Sequence, residues 1–190
     1  MKPLRIVAMN FAWARPAVLG LVVASTLTLA ACGRGGAVPS SAEDLAKNAE
    51  EAASFLATNA KAEGIKTLPS GLQYKVVESG PAGGESPDRN DWVRVDYEGS
   101  LIDGTVFDSS YKRGAPALFT PETVVSGWTE ALQLMKPGDE WIIYLPPALG
   151  YGEMGGGPVI PGNAALVFRL KLLDIAPVPG GGKGVGTAMG

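Results

Sequence analysis

The chain has 190 residues, 46% of them hydrophobic, with 16 Lys and Arg against 19 Asp and Glu for a formal net charge of −3. It contains no histidine and a single cysteine, Cys32, which excludes imidazole-based catalysis, the usual zinc hydrolase centres, a cysteine zinc site and an intrachain disulfide. The mild acidity offers no electrostatic footprint for nucleic acid, and 26 Gly with 15 Pro point to a loop-rich domain or flexible ends.

At the N-terminus, Lys2, Arg5 and Arg15 precede a charge-free run from Pro16 to Cys32 that is rich in Ala, Val and Leu, the pattern of an export signal. The run is shorter than the ~20 residues a spanning helix needs and stops at Gly33-Arg34-Gly35-Gly36, so a transmembrane anchor is the weaker reading. Leu29-Ala30-Ala31-Cys32 resembles the lipobox of bacterial lipoproteins, in which small residues precede a cysteine that is lipidated on sulfur and becomes the new N-terminus. The resemblance implies a signal peptide over 1–31, lipidation at Cys32 and a protein held on the bacterial cell envelope by acyl chains. Gly33, where Asp would signal retention, implies the outer membrane, facing the periplasm or the cell surface. An ordinary signal peptide with an incidental thiol is the alternative.

Residues 32–41 read as a flexible tether. A helix follows over 42–66, with Ser40 and Glu43 as a capping box, Leu45, Ala49, Ala52, Leu56 and Ala60 as its apolar stripe and Gly64 as its stop. The stripe is mostly alanine, so the helix is expected to dock on its own domain or on a second copy of the chain. The period then changes to two in Leu72 to Val77 and Trp92 to Glu98, separated by a surface loop from Gly80 to Asp91. Asp103-Gly104 predicts a hairpin turn into Thr105 to Asp108, and Trp128 to Met135 a short helix closed by Lys136-Pro137-Gly138-Asp139. Glu140 to Leu145 is a strand, Pro146 to Asn163 a long Gly/Pro loop, and Ala165 to Ile175 the clearest strand. The sum is an α+β layout, an antiparallel sheet with one short helix covering a face, and a disordered tail over 177–190.

No nucleophile and base pair or phosphate loop is visible. Tyr97, Phe107, Phe119, Trp128, Tyr151 and Phe168 instead come from different segments, with Asp108 beside Phe107; by spacing alone such a set is ordinary core. The strings around it, however, are distinctive: Val95-Asp96-Tyr97-Glu98-Gly99, Asp103-Gly104-Thr105-Val106-Phe107-Asp108-Ser109-Ser110, Val124-Val125-Ser126-Gly127-Trp128, Leu145-Pro146-Pro147, Tyr151-Gly152, Ile160-Pro161 and Leu166-Val167-Phe168. In this order they resemble the FKBP-type peptidyl-prolyl isomerases, over about Leu68 to Ile175. The lead-in from Phe55 to Gly64 and Ser70-Gly71-Leu72-Gln73-Tyr74 resembles the macrophage-infectivity-potentiator branch of that family.

The resemblance implies a twisted antiparallel sheet wrapped around a short α-helix, an isomerase domain over 67–176, and no cofactor or metal. It implies proline-containing polypeptides as substrates, macrolide inhibitors such as rapamycin as ligands, and a homodimer through the N-terminal helix. Residue by residue, Trp128 would be the pocket floor, with Tyr97, Phe107, Val124, Val125 and Phe168 as walls and Phe119 beside them. The Val125 N–H and the Tyr151 hydroxyl would bind substrate carbonyls, Ile160 would close the mouth, and Asp108 would either face the twisted amide or hold a neighbouring hydroxyl or Arg113. Ala117, where many relatives have an aromatic, should open one side of the pocket, and Gly155-Gly156-Gly157 should loosen the long loop. This chemistry fits what the composition lacks, because rotating a prolyl amide over its barrier of about 18–20 kcal/mol needs no acid, base or metal. A non-catalytic chaperone that grips proline-containing segments is the competing reading.

Overall fold

The structure, a computed structural model, describes residues 41–178. The expected signal segment, Cys32, nearly all of the tether and the tail beyond Val178 lie outside the described residues. In chain order the elements are α1 (Ala42–Asn59), β1 (Lys66–Thr67), β2 (Gln73–Glu78), β3 (Trp92–Leu101), β4 (Val106–Ser109), α2 (Ser110–Arg113), β5 (Ala117–Phe119), α3 (Ser126–Leu132), β6 (Glu140–Leu145) and β7 (Leu166–Ala176). Single 3-10 turns occupy Pro121–Thr123, Pro147–Leu149 and Gly152–Met154. Among the described residues no helix is long and apolar enough to cross a membrane.

The strands form one antiparallel sheet in the order β1-β2-β6-β7-β3-β4, with β5 also pairing β3. Alternation decides its two faces. Val93, Val95 and Tyr97 of β3, Ile143 and Leu145 of β6, and Leu166, Phe168, Leu170 and Leu172 of β7 are all buried on the face that α3 covers with Trp128, Ala131 and Leu132. The opposite face carries the polar residues between them, so the α+β architecture follows from the period-two pattern. The short helix begins two residues earlier than its apolar residues suggest, at Ser126, and ends at Leu132.

The N-terminal helix is shorter than the expected 42–66, because Ala60 caps it and turns carry the chain to Gly64. Its capping box is one residue later than expected: Ser41 Oγ accepts from the Asp44 N–H, and the Asp44 carboxylate accepts from the Ser41 N–H. Its inward face is also rotated from the expected stripe. Ala52 is buried and Leu45, Asn48, Phe55, Leu56 and Asn59 are half-buried, whereas Ala49 and Ala60 are exposed. Side-chain amides hold this thin face in place. Asn48 Nδ2 donates to the Gly162 carbonyl at 2.9 Å, Asn163 Nδ2 to the Leu45 carbonyl at 3.1 Å, and Gln73 Nε2 to the Leu56 carbonyl at 2.9 Å.

Candidate functional site

Trp128 comes first, because α3 sets it against the buried face of the sheet, where it is 4% exposed. Three rings meet its indole nearly at right angles: Tyr97 at 5.0 Å between centroids, Phe168 at 5.3 Å and Phe119 at 5.9 Å. Such edge-to-face contacts are the favoured geometry of aromatic quadrupoles. Phe107 extends the box by meeting Phe168 at 5.6 Å and 83°. The Trp128 indole N–H is buried and has no hydrogen-bond partner.

Register explains how Phe107 joins this set. Along β4, Asp108 lies opposite Gly99 and Val106 opposite Ser100, so Phe107 is an extra residue in a bulge, a device that re-aims a side chain. Gly99 makes the space, since a Cβ there would lie 2.6 Å from Phe168 Cε1 and 2.7 Å from Phe107 Cε2.

Together Tyr97, Phe107, Asp108, Phe119, Thr123, Val124, Val125, Trp128, Tyr151 and Phe168 line an open cavity of about 390 Å³, within the size range of small-ligand sites. Val124 and Val125 lead into α3, Val125 being its N-cap residue. Tyr151 stands at the rim, 41% exposed. Nine of the ten residues proposed for the pocket from sequence thus meet at one cavity, and the tenth, Ile160, does not line it. Ile160 is buried in the core, where it exchanges backbone hydrogen bonds with Gly156 at 2.9 and 3.2 Å. Two of the three glycines make room for this fold-back: a Cβ on Gly155 would lie 2.3 Å from the Ile160 carbonyl oxygen, and one on Gly156 would lie 3.0 Å from the Tyr151 ring. Ala117 lies opposite Val95 on β5, outside the cavity wall. Thr123 was not anticipated, because nothing marks a lone threonine before the Val124-Val125 pair.

The polar side of the cavity is a closed triad. The Tyr97 hydroxyl donates to Asp108 Oδ2, Arg113 Nη1 donates to Asp108 Oδ1, and Arg113 Nη2 donates to the Tyr97 hydroxyl oxygen at 2.9 Å. The guanidinium also lies 5.2 Å from the centre of the Tyr97 ring. Burial raises the Tyr97 phenol above its ordinary pKa, and the bond to Asp108 adds to this against the opposing pull of Arg113. The phenol therefore stays protonated and donating at neutral pH. Each Asp108 oxygen thus accepts one hydrogen bond, from Tyr97 and from Arg113 respectively. Among the described residues no group of three or more His, Cys, Asp or Glu is arranged to hold a metal.

Comparison with known proteins agrees with this geometry. Residues 83–173 match the family model of the FKBP-type peptidyl-prolyl cis-trans isomerase, and residues 37–76 match the model of the domain amino terminal to it. The chain is 55% identical over 128 residues to the peptidyl-prolyl cis-trans isomerase Mip of Coxiella burnetii, covering 67% of this chain and 55% of that one. It is 46% identical over 130 residues to the outer membrane protein MIP of Legionella longbeachae, covering 68% and 54%. The chain thus spans about half the length of these curated relatives. The crystal structure of a peptidyl-prolyl cis-trans isomerase from Pseudomonas syringae superposes with a TM-score of 0.64 at 33% identity, covering 70% of this chain and 96% of that one. With the strings, the fold and the aromatic box in agreement, the chain belongs to the FKBP-type peptidyl-prolyl cis-trans isomerase family.

Proposed function

We propose that this protein is a peptidyl-prolyl cis-trans isomerase that accelerates proline-limited folding of exported polypeptides. The observation that carries this is the Trp128 floor enclosed by perpendicular rings in a cavity whose carboxylate is already committed to Tyr97 and Arg113. Twisting the prolyl amide localises the nitrogen lone pair and lowers the polarity of the group. An apolar box solvates the planar, resonance-polarised ground state poorly and so favours the twisted state. Proline packs on Trp128 between Tyr97, Phe107, Val124, Val125 and Phe168, with Phe119 bracing the floor. The Val125 N–H and the exposed Tyr151 hydroxyl take the flanking carbonyls. Macrolide inhibitors such as rapamycin would compete for the same apolar floor.

The test is the rate of a proline-limited refolding reaction. Trp128→Ala and Phe107→Ala should each lower kcat/KM by about ten- to a hundredfold, or roughly 1.4–2.7 kcal/mol of barrier. Circular dichroism should still report the sheet, most securely for the half-buried Phe107. Undiminished turnover in both variants would refute the pocket assignment, and a wild-type protein that suppresses aggregation without speeding refolding would favour the non-catalytic chaperone.

The envelope location rests on the basic and apolar leader, on the cysteine at position 32 and on the similarity to a relative named as an outer membrane protein. Lipidation at Cys32 anchors the chain in this reading, and Cys32→Ser should move it from the membrane fraction to the soluble one; continued membrane partition would exclude that anchor. A homodimer through α1 finds support in Ala46, Ala49, Ala53, Ala57 and Ala60, which all stay exposed when the helix docks on its own domain. Sedimentation of the chain lacking 1–31 at a monomer's mass would exclude it.

A further inference from the structure

The phenol of Tyr97 is gripped from the cavity side, whereas its backbone is held from behind. β3 pairs with β5 at Val93 to Val95 and with β4 at Glu98 to Ser100, so on that edge Asp96 and Tyr97 fall in the gap between two strands. A side chain closes the gap. The Tyr97 N–H donates to Ser110 Oγ at 2.9 Å, and the Ser110 hydroxyl donates to Asp96 Oδ1 at 2.8 Å. Ser110 is 0% exposed. A hydroxyl has one proton and two lone pairs, so committing the proton to Asp96 leaves a lone pair facing the Tyr97 N–H.

Ser110 opens α2 and Arg113 ends it. The same single turn therefore holds Tyr97 at its backbone through Ser110 and at its phenol through Arg113. We propose that Ser110, oriented by Asp96, is a positioning residue that keeps the Tyr97 phenol in place against Asp108 and Arg113 and so sets the shape of the cavity wall. The proposal rests on the reading of the cavity as an isomerase site.

The test is a double-mutant cycle on kcat and KM with a proline peptide: Ser110→Ala and Asp96→Ala, each alone and combined with Tyr97→Phe. Ser110→Ala should lower kcat/KM by about tenfold and Asp96→Ala by about threefold, mostly in kcat, as a misplaced group costs orientation more than affinity. With Tyr97→Phe present, each further loss should shrink to less than about twofold. Asp96 is only half-buried, so its variant keeps the cycle informative if Ser110→Ala unfolds. Equal losses with and without the Tyr97 hydroxyl would mean that Ser110 merely completes the backbone, and would overturn the proposal while leaving the isomerase reading intact. A wild-type protein without turnover would overturn both.

Discussion

Gly99 shows how a residue with no side chain shapes the pocket. Glycine inside a strand costs about 0.5–1 kcal/mol relative to alanine, yet the Phe107 and Phe168 ring carbons occupy the place where a Cβ would lie. Gly99→Ala should therefore leave the backbone pairing intact, drive Phe107 outward, reduce stability by roughly 1–3 kcal/mol and lower kcat/KM by about tenfold. A chemical melt and the refolding assay measure both effects, and unchanged turnover would mean that the placement of Phe107 is irrelevant to catalysis. At this scale the sequence was informative in kind but not in role. Trp128 and Trp141 are both buried with unpartnered indole N–H groups, yet Trp141 stacks on Tyr74 at 4.4 Å away from the cavity. Composition and spacing could not tell the floor of a pocket from a packing residue, and only the family strings separated them. Ser110 was legible only as one letter of such a string, because its partners Asp96 and Tyr97 meet it through a gap in strand pairing.

The long strands and α3 were readable because their apolar residues alternate, or recur each turn, over enough positions to show a period. β1, β5 and α2 were not, having two, three and four residues respectively, too few for any period. α1 was readable as a helix but not in rotation, since alanine occupies both its inward and its outward face and the docking is decided by amides. Gln73 is the link that makes two bonds to the helix. It is 4% exposed, donates to the Leu56 carbonyl at 2.9 Å and accepts from Asn59 Nδ2 at 2.8 Å. Gln73→Leu removes both bonds, leaving the Leu56 carbonyl with only the Ala60 N–H and Asn59 Nδ2 without this acceptor, at a cost of about 0.5–1.5 kcal/mol per bond. Hydrogen exchange should then quicken across the last turn of α1 while β6 and β7 keep their protection. Equal loss of protection in the central strands would show that the helix and the sheet open as one unit.

Over the whole molecule, the face of the sheet opposite the cavity is tied by charge. Glu140 of β6 is 5% exposed. Its carboxylate accepts from Arg169 Nε at 2.5 Å and pairs with Lys171 Nζ at 3.4 Å, while Lys171 also reaches Glu78 of β2 at 3.0 Å. Three adjacent strands are thus joined across the back of the pocket sheet. Burial alone would raise the Glu140 carboxyl, but the bonds and charges of Arg169 and Lys171 outweigh it and hold the group below its ordinary value of 4.5. A carboxyl depressed in the folded state adds stability that is complete above its unfolded pKa and disappears as pH falls through the folded one. Glu140→Gln removes the charge and should cost roughly 1–2 kcal/mol at neutral pH, below the full value for a buried pair because both cations are partly exposed. The gap between wild type and variant should close as the medium is acidified through and below the ordinary carboxylate range, since the wild-type carboxyl is by then protonated too. Urea melts across that range measure it. A gap that stays constant down to acid would assign the loss to packing, and would mean that the strands behind the pocket are not held by this charge network.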